Sequence, residues 1–476
     1  MTSSDRDGLF SALFGRGAAG PDDAAWLQAM LDAEAGLARA LERAGLAAGG
    51  SGEAVTAAAR AGDFDGAEIG RQAARTGNPV PALVRALTAR VPEPARAAVH
   101  QGATSQDILD TAMMLLGRRG LDEIGTSLAA AAAAAAGLAE AHAGTIMAGR
   151  TLLQQAVPVT FGLVAAGWLT ALDESRQQLD WIRRERLAAQ LGGAAGTLAS
   201  LGDAGPAVAA LFAAELGLAR PALPWHTSRL RIADLAAGLA GACAAAGKIA
   251  RDITLLAQSE VGEVREGSAV AEGNRRDQAG GDQAGGSSAM PHKRNPVAAV
   301  VILGCTRRAP GLAATLLAAG EQELQRAAGG WHAEWEPLAE LLRLTGSAAA
   351  WSADLLAGLQ VDPDRMRASL DAAGGMPMAE RVAGLLAPAI GRLAAHDLVA
   401  EASREAAGSG RPLGAVLAET PRFASQLEKA RIGRPELAAA LDPASYLGGT
   451  GQFIAAALAA HRECEDRLAR HRRESQ

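Results

Sequence analysis

From about Gln106 to Leu359 apolar residues recur at helical spacing with few prolines, and this long stretch limits the possible folds more than any other feature. The residues that fill it strengthen the constraint. Alanine and leucine dominate, aromatic residues make up only 3%, and there is one tyrosine. Strands favour β-branched and aromatic side chains, whereas Ala, Leu, Arg, Glu and Gln favour helices. The chain therefore reads as all-α. The alanine run Ala129–Ala136 fits a helix, and its small side chains would let neighbouring helices approach closely.

The flanks differ from this central region. A first helix follows Pro21-Asp22-Asp23, with Trp26, Met30, Ala33, Leu37 and Leu41 three or four residues apart and Gly45 as a stop. Turn-rich segments and the prolines 79, 81, 92 and 94 then break the chain. Near Val361 the pattern restarts, with Asp362 as N-cap and Pro363 in the first helical turn. These breaks predict three segments: an N-terminal helical domain over 1–105, a central helical bundle over 106–360 and a C-terminal helical domain over 361–476.

From Thr151 to Leu172 there is no charged residue. A membrane span would be more uniformly apolar than this stretch, which holds Gln154, Gln155, Pro158 and Thr160. It is expected to be a buried bundle helix, opened by Gly149-Arg150-Thr151-Leu152-Leu153-Gln154-Gln155. The net charge of −6 comes with acids and bases interspersed, so nucleic acid is not an expected partner, and no membrane is expected either. Cys243, Cys305 and Cys464 are far apart and odd in number, which fits a reducing cytoplasm better than a disulfide scaffold. The opening MTSSDRDGLF lacks the apolar core of a signal peptide.

The central region has one main interruption. Residues 267–286 hold six glycines and the tandem repeat DQAGG-DQAGG, a composition that predicts a mobile segment. Next comes Gly286-Ser287-Ser288-Ala289-Met290-Pro291-His292-Lys293-Arg294-Asn295-Pro296, then the apolar VAAVVILG. Asn295 is suited to the N-cap and Pro296 to the first turn, so a helix N-terminus would point back at the serines and at Lys293. Such charges ease ionisation of a serine hydroxyl and stabilise a carboxylate whose α-carbon loses a proton. Taken piecemeal, the same residues describe an ordinary capped helix. A second helix entrance, His100-Gln101-Gly102-Ala103-Thr104-Ser105-Gln106-Asp107, offers hydroxyls and free N–H groups of the same kind, and alone it reads as a capping motif.

Together, the blocks HQGATSQDILDTA, MAGRTLLQQAVPVTFG and GGSSAMPHKRNPV resemble the three signature regions of the fumarase/aspartase superfamily, in that order. The blocks GNPVPALVRAL, LPWHTSRLRIADLA, ARDITLLAQSEVGEV, GGWHAEWEPL and LDPASYLG are similar to the bacterial 3-carboxy-cis,cis-muconate cycloisomerases. The resemblance implies a three-domain fold whose long helices form a 20-helix core in a homotetramer, each active site drawing on three subunits. It implies a small tricarboxylate substrate and no cofactor or metal. By motif position Ser287 transfers the proton, with Ser288 beside it. Lys293 and Asn295 contact a substrate carboxylate, Thr104 and Ser105 bind a second, and His100 and Gln154 line the pocket. Arg229 is a further candidate for the multiply charged substrate.

Position 152 narrows the chemistry. Adenylosuccinate and argininosuccinate lyases carry a histidine in this block, where it assists the leaving amine, and here the residue is Leu152. A carboxylate, with a reference pKa of about 4, leaves without being protonated, so lactone opening tolerates a missing acid. Nitrite is another such leaving group. Two alternatives to the cycloisomerase therefore stand: a β-elimination releasing fumarate from a substituted succinate, and an inactive structural homologue. Leu324 and Gln325 also depart from the His and Glu expected in the cycloisomerases. The remaining histidines, His142, His226 and His396, read as structural, although His226 could approach the site. His332 and Glu336 read as a surface or packing pair, Cys305 as core, and Trp331 with Trp335 as helix packing.

Overall fold

The structure is a computed structural model, and it describes residues 8–17, 20–267, 290 and 293–474. It is predominantly helical, as the composition indicates, with two short antiparallel strand pairs among the described residues. The chain divides into two compact units. One comprises residues 1–131, 174–250 and 298–353, the other residues 132–173, 251–297 and 354–476.

In the first unit, helix α1 (Asp23–Arg43) starts where Asp22 accepts a hydrogen bond from the Ala25 N–H at 2.8 Å. Its buried face carries Leu31, Leu37 and Leu41, each wholly shielded from solvent. Burial of such a side chain contributes about 1.5–3 kcal/mol. Helix α2 (Ser105–Ala141) begins in this unit and is the longest element. Its first turns bury Ile108, Ala112 and Met113 on the apolar side and Asp107, Asp110 and Thr111 on the polar side. Those polar groups find partners described below.

In the second unit, strands β1 (Ile146–Thr151) and β2 (Gln154–Thr160) form a hairpin that leads directly into helix α3 (Phe161–Trp181). This corrects the expectation of a helix from Thr151. The charge-free run satisfies hydropathy for a helix, but its β-branched Thr151, Val157, Val159 and Thr160 favour a pleated surface. The turn residues Leu152 and Leu153 have φ of 50° and 66°, the left-handed pair of a two-residue hairpin turn. Gly149 sits where the register slips between Ala148 and Arg150, and a Cβ there would lie 2.8 Å from the Val157 carbonyl oxygen. Only glycine permits that approach.

Helices α4 (Leu230–Leu256), α5 (Val297–Ala318) and α6 (Trp335–Ala357) complete the long helical set. By length and composition alone, α2, α4 and α5 are apolar enough to cross a bilayer, whereas the Thr151–Leu172 stretch is not among such helices. Strand β3 (Val264–Glu266) pairs with β4 (Leu359–Val361) just before residues 268–289. After β4, Asp362 caps a helix at Pro363–Asp371 by accepting from the Arg365 N–H. The short helices beyond it enclose a core of Val382, Leu386, Leu398, Val399, Leu413, Leu417 and Phe423.

Candidate active site

The residues singled out by sequence fall in three places. His100, Thr104, Ser105 and Arg229 belong to the first unit, and Gln154, Lys293 and Asn295 to the second. Ser287 and Ser288 lie outside the described residues, as does the glycine-rich stretch apart from Gly267.

At the entrance of α2, Asp107 organises the loop. Its Oδ2 accepts from the Thr104 N–H at 3.0 Å and the Gly193 N–H at 2.9 Å, and its Oδ1 from the Gly192 N–H at 3.0 Å. The His226 Nε2 lies 2.6 Å from Oδ1. Asp107 thus completes the reciprocal half of a capping box while holding the 192–193 turn against the same helix end. Gly102, with φ 79°, lets the loop pass beneath Leu201, where a Cβ would come within 2.5 Å of the leucine Cγ. The half-buried Thr104 and Ser105 hydroxyls make no hydrogen bond among the described residues, so they and the helix N-terminus are available to an anion.

One turn further along α2, Asp110 meets Arg229. The guanidinium donates to Asp110 at 2.7 and 3.0 Å and to Glu334 at 2.9 and 2.5 Å, and all three side chains are buried. Trp331 Nε1 and Gln106 Nε2 also donate to Asp110. Burial pushes the Glu334 carboxyl up despite the opposing charge of Arg229. Four hydrogen bonds to two carboxylates occupy Arg229, so it braces the entrance of α2 and has no free face for a substrate carboxylate.

Beside this network runs the loop carrying Leu324 and Gln325. Leu324 is exposed with φ 47°, and its carbonyl accepts from the Thr227 hydroxyl at 2.8 Å. Arg326 donates to Gln106 Oε1 at 2.9 Å and to the Gly193 carbonyl at 2.6 Å. This loop is therefore tied to the residue that follows Ser105. His332, packed on Trp335 at 4.8 Å between ring centres, donates to or accepts from no carboxylate among the described residues.

His100 lies at φ 58°. Its N–H donates to Glu34 Oε2 at 2.9 Å, and its Nδ1 is 2.6 Å from Glu34 Oε1. Burial alone would lower the His100 pKa, but the hydrogen bond and charge of Glu34, helped by the charge of Asp107, raise it. Glu34 escaped notice in the sequence, although it interrupts the apolar face of α1 four residues after Met30 and three before Leu37.

In the second unit Gln154 is exposed at the hairpin tip, opposite Thr151. Leu152 is 96% exposed, and its side chain has no proton to donate. Arg150 forms a two-pronged ion pair with the fully buried Glu263, at 2.9 and 2.6 Å. That pair ties the hairpin to the residue before β3. Lys293 is exposed, and its N–H donates to the Met290 carbonyl at 3.0 Å. Asn295 is half-buried, and α5 begins at Val297, so the helix starts slightly later than Pro296 suggests.

Comparison with known proteins agrees with this arrangement of motifs. Residues 24–311 match a family described as Lyase, and residues 375–457 match the adenylosuccinate lyase C-terminus. The chain is 44% identical to a 3-carboxy-cis,cis-muconate cycloisomerase of Bradyrhizobium diazoefficiens, covering 91% of this chain and 93% of that protein. It is 45% identical to a nitrosuccinate lyase of Streptomyces davaonensis, covering 91% and 90%. The crystal structure of the 3-carboxy-cis,cis-muconate lactonizing enzyme of Pseudomonas putida superposes with a TM-score of 0.84 at 40% identity, covering 96% of this chain and all of that one. With a family match over more than half its length and relatives this similar end to end, the chain belongs to the fumarase/aspartase superfamily.

Proposed function

We propose that the chain is a cofactor-free cycloisomerase that interconverts 3-carboxy-cis,cis-muconate and 4-carboxymuconolactone. The observation that carries the reading is its 44% identity, nearly end to end, with a cycloisomerase of that specificity. One substrate carboxylate adds across a conjugated double bond, and negative charge builds up on the α-carbon and its carboxylate. The Thr104 and Ser105 hydroxyls with the α2 N-terminus hold one carboxylate, and Lys293 and Asn295 hold another. Ser287, or a water it orders, delivers the proton to the α-carbon, with Ser288 beside it. In the opposite direction a carboxylate leaves, which requires no acid at Leu152. Gln154 and His100 line the pocket.

We assign the working form as a cytoplasmic homotetramer in which α2, α4 and α5 contribute to a shared 20-helix core. Residues 1–105, 106–360 and 361–476 form the three domains, and three subunits contribute to each active site. Two features support this form. The three helices combine apolar length with large unburied portions, and the site residues are divided between separate units of the chain.

A second reading, β-elimination of nitrite from nitrosuccinate, is favoured by the 45% identity to a nitrosuccinate lyase. Nitrite likewise leaves without protonation. An ultraviolet assay separates the two: purified protein should consume 3-carboxymuconate, whereas fumarate release from nitrosuccinate with muconate untouched would select the elimination. Ser287→Ala should lower the rate by several orders of magnitude with the fold intact, and near-normal turnover would remove Ser287 from its role.

A further inference from the structure

Glu34 is wholly buried on α1, a costly place for a carboxylate unless its partners repay the lost hydration. Its hydrogen-bond partners among the described residues are two atoms of a single residue, the backbone N–H and ring Nδ1 of His100. The geometry assigns Glu34 as the positioning residue of a carboxylate–imidazole pair that fixes the ring of His100 and presents its Nε2, protonated, to the substrate carboxylates. This assignment rests on the function proposed above.

Three observations support it. With Nδ1 held at 2.6 Å by a carboxylate, the ring proton on that nitrogen is fixed, so only Nε2 gains or loses a proton. That nitrogen has no partner among the described residues, and the side chain retains 22% of its exposure. The backbone of His100 is held at φ 58°, a conformation that a non-glycine residue keeps only when its surroundings enforce it, and the second Glu34 oxygen does so through the N–H. The charged groups facing the ring are Glu34 and, farther away, Asp107, and both favour the imidazolium. A single positive charge at Nε2, on the same loop as Thr104 and Ser105, suits a substrate carboxylate. Glu34 touches no substrate and acts only through His100.

The sign follows from the raised pKa. Protonated His100 persists above its ordinary 6.5, substrate binding is strongest below its midpoint, and KM rises as pH passes through it. The test follows the rate of His100 modification by diethyl pyrocarbonate against pH, read on its own peptide by mass spectrometry. Wild-type protein should show a midpoint above 6.5, and Glu34→Gln a lower one. In the same variant KM should rise about tenfold at pH 6, as expected for one charge-assisted hydrogen bond, with kcat changed less. A wild-type midpoint at or below 6.5 overturns the assignment without any variant having to fold. A Glu34→Gln protein with an unshifted midpoint overturns it as well. The modification profile needs no substrate, so it stands even if neither muconate nor nitrosuccinate is turned over.

Discussion

Asp107→Asn is the sharpest test of how the α2 entrance is built. The carboxylate oxygens serve Thr104 and Gly193 on one side and Gly192 and His226 on the other, with no exposure to water. An asparagine keeps the shape but offers one oxygen. Whichever way the amide turns, its NH2 faces a pair that includes at least one backbone N–H. At least one buried donor, and as many as two, is then left unsatisfied, at about 1–3 kcal/mol each. The charge-assisted component of the retained bonds is also lost, so a total of about 3–5 kcal/mol is expected. Denaturant-induced unfolding followed by circular dichroism reads this loss directly. The Thr104 and Ser105 hydroxyls should drift from their positions, so KM should rise in whatever folded protein remains. An unchanged unfolding midpoint with wild-type KM would refute the claim that Asp107 shapes the entrance.

Further predictions concern other parts of the chain. Arg229→Met leaves Asp110 and Glu334 buried without their cation and should destabilise the fold by about 3–5 kcal/mol; unchanged stability with a raised KM would instead make Arg229 a substrate ligand. Replacing Leu152-Leu153 by Asn-Gly puts permissive residues at two left-handed positions and should raise the melting temperature, in line with a relief of about 1–2 kcal/mol. A fall in melting temperature would contradict the turn geometry. Burial pushes the Cys243 thiol up to about 11, so iodoacetamide at pH 8 should leave it unlabelled in native protein, and stoichiometric labelling would show that the helix packing opens.

Much of the helical frame was legible because the caps are local: Asp22 and Asp362 each bond a backbone N–H three residues ahead. The hairpin at 146–160 was not, because a charge-free run satisfies a helix and a buried strand equally when its period is left untested. At the candidate site, the motif blocks point to Thr104, Ser105, Lys293 and Asn295 but not to what holds the α2 entrance. The supports of the α2 entrance come from Glu34, Gly192, His226 and Glu334, none of them near it in sequence. Arg229 illustrates the same limit. A positive residue in a signature block suggests a ligand for an anion, and only the fold discloses the two carboxylates that already occupy it.

That dependence on distant partners also sets a clock on biosynthesis. Asp110 awaits Trp331, 221 positions later, and Gln106 awaits Arg326, 220 positions later. At roughly 5–20 residues per second, the ribosome needs roughly 11–44 seconds to deliver them once Gln106 and Asp110 have been made. Arg229, 119 positions after Asp110, is made sooner, yet until residues 326 and 331 follow, the hydrogen-bond set around Gln106 and Asp110 stays incomplete. The full hydrogen-bond set of the α2 entrance is therefore absent from any truncated chain that stops before residue 331, however well its earlier helices have formed.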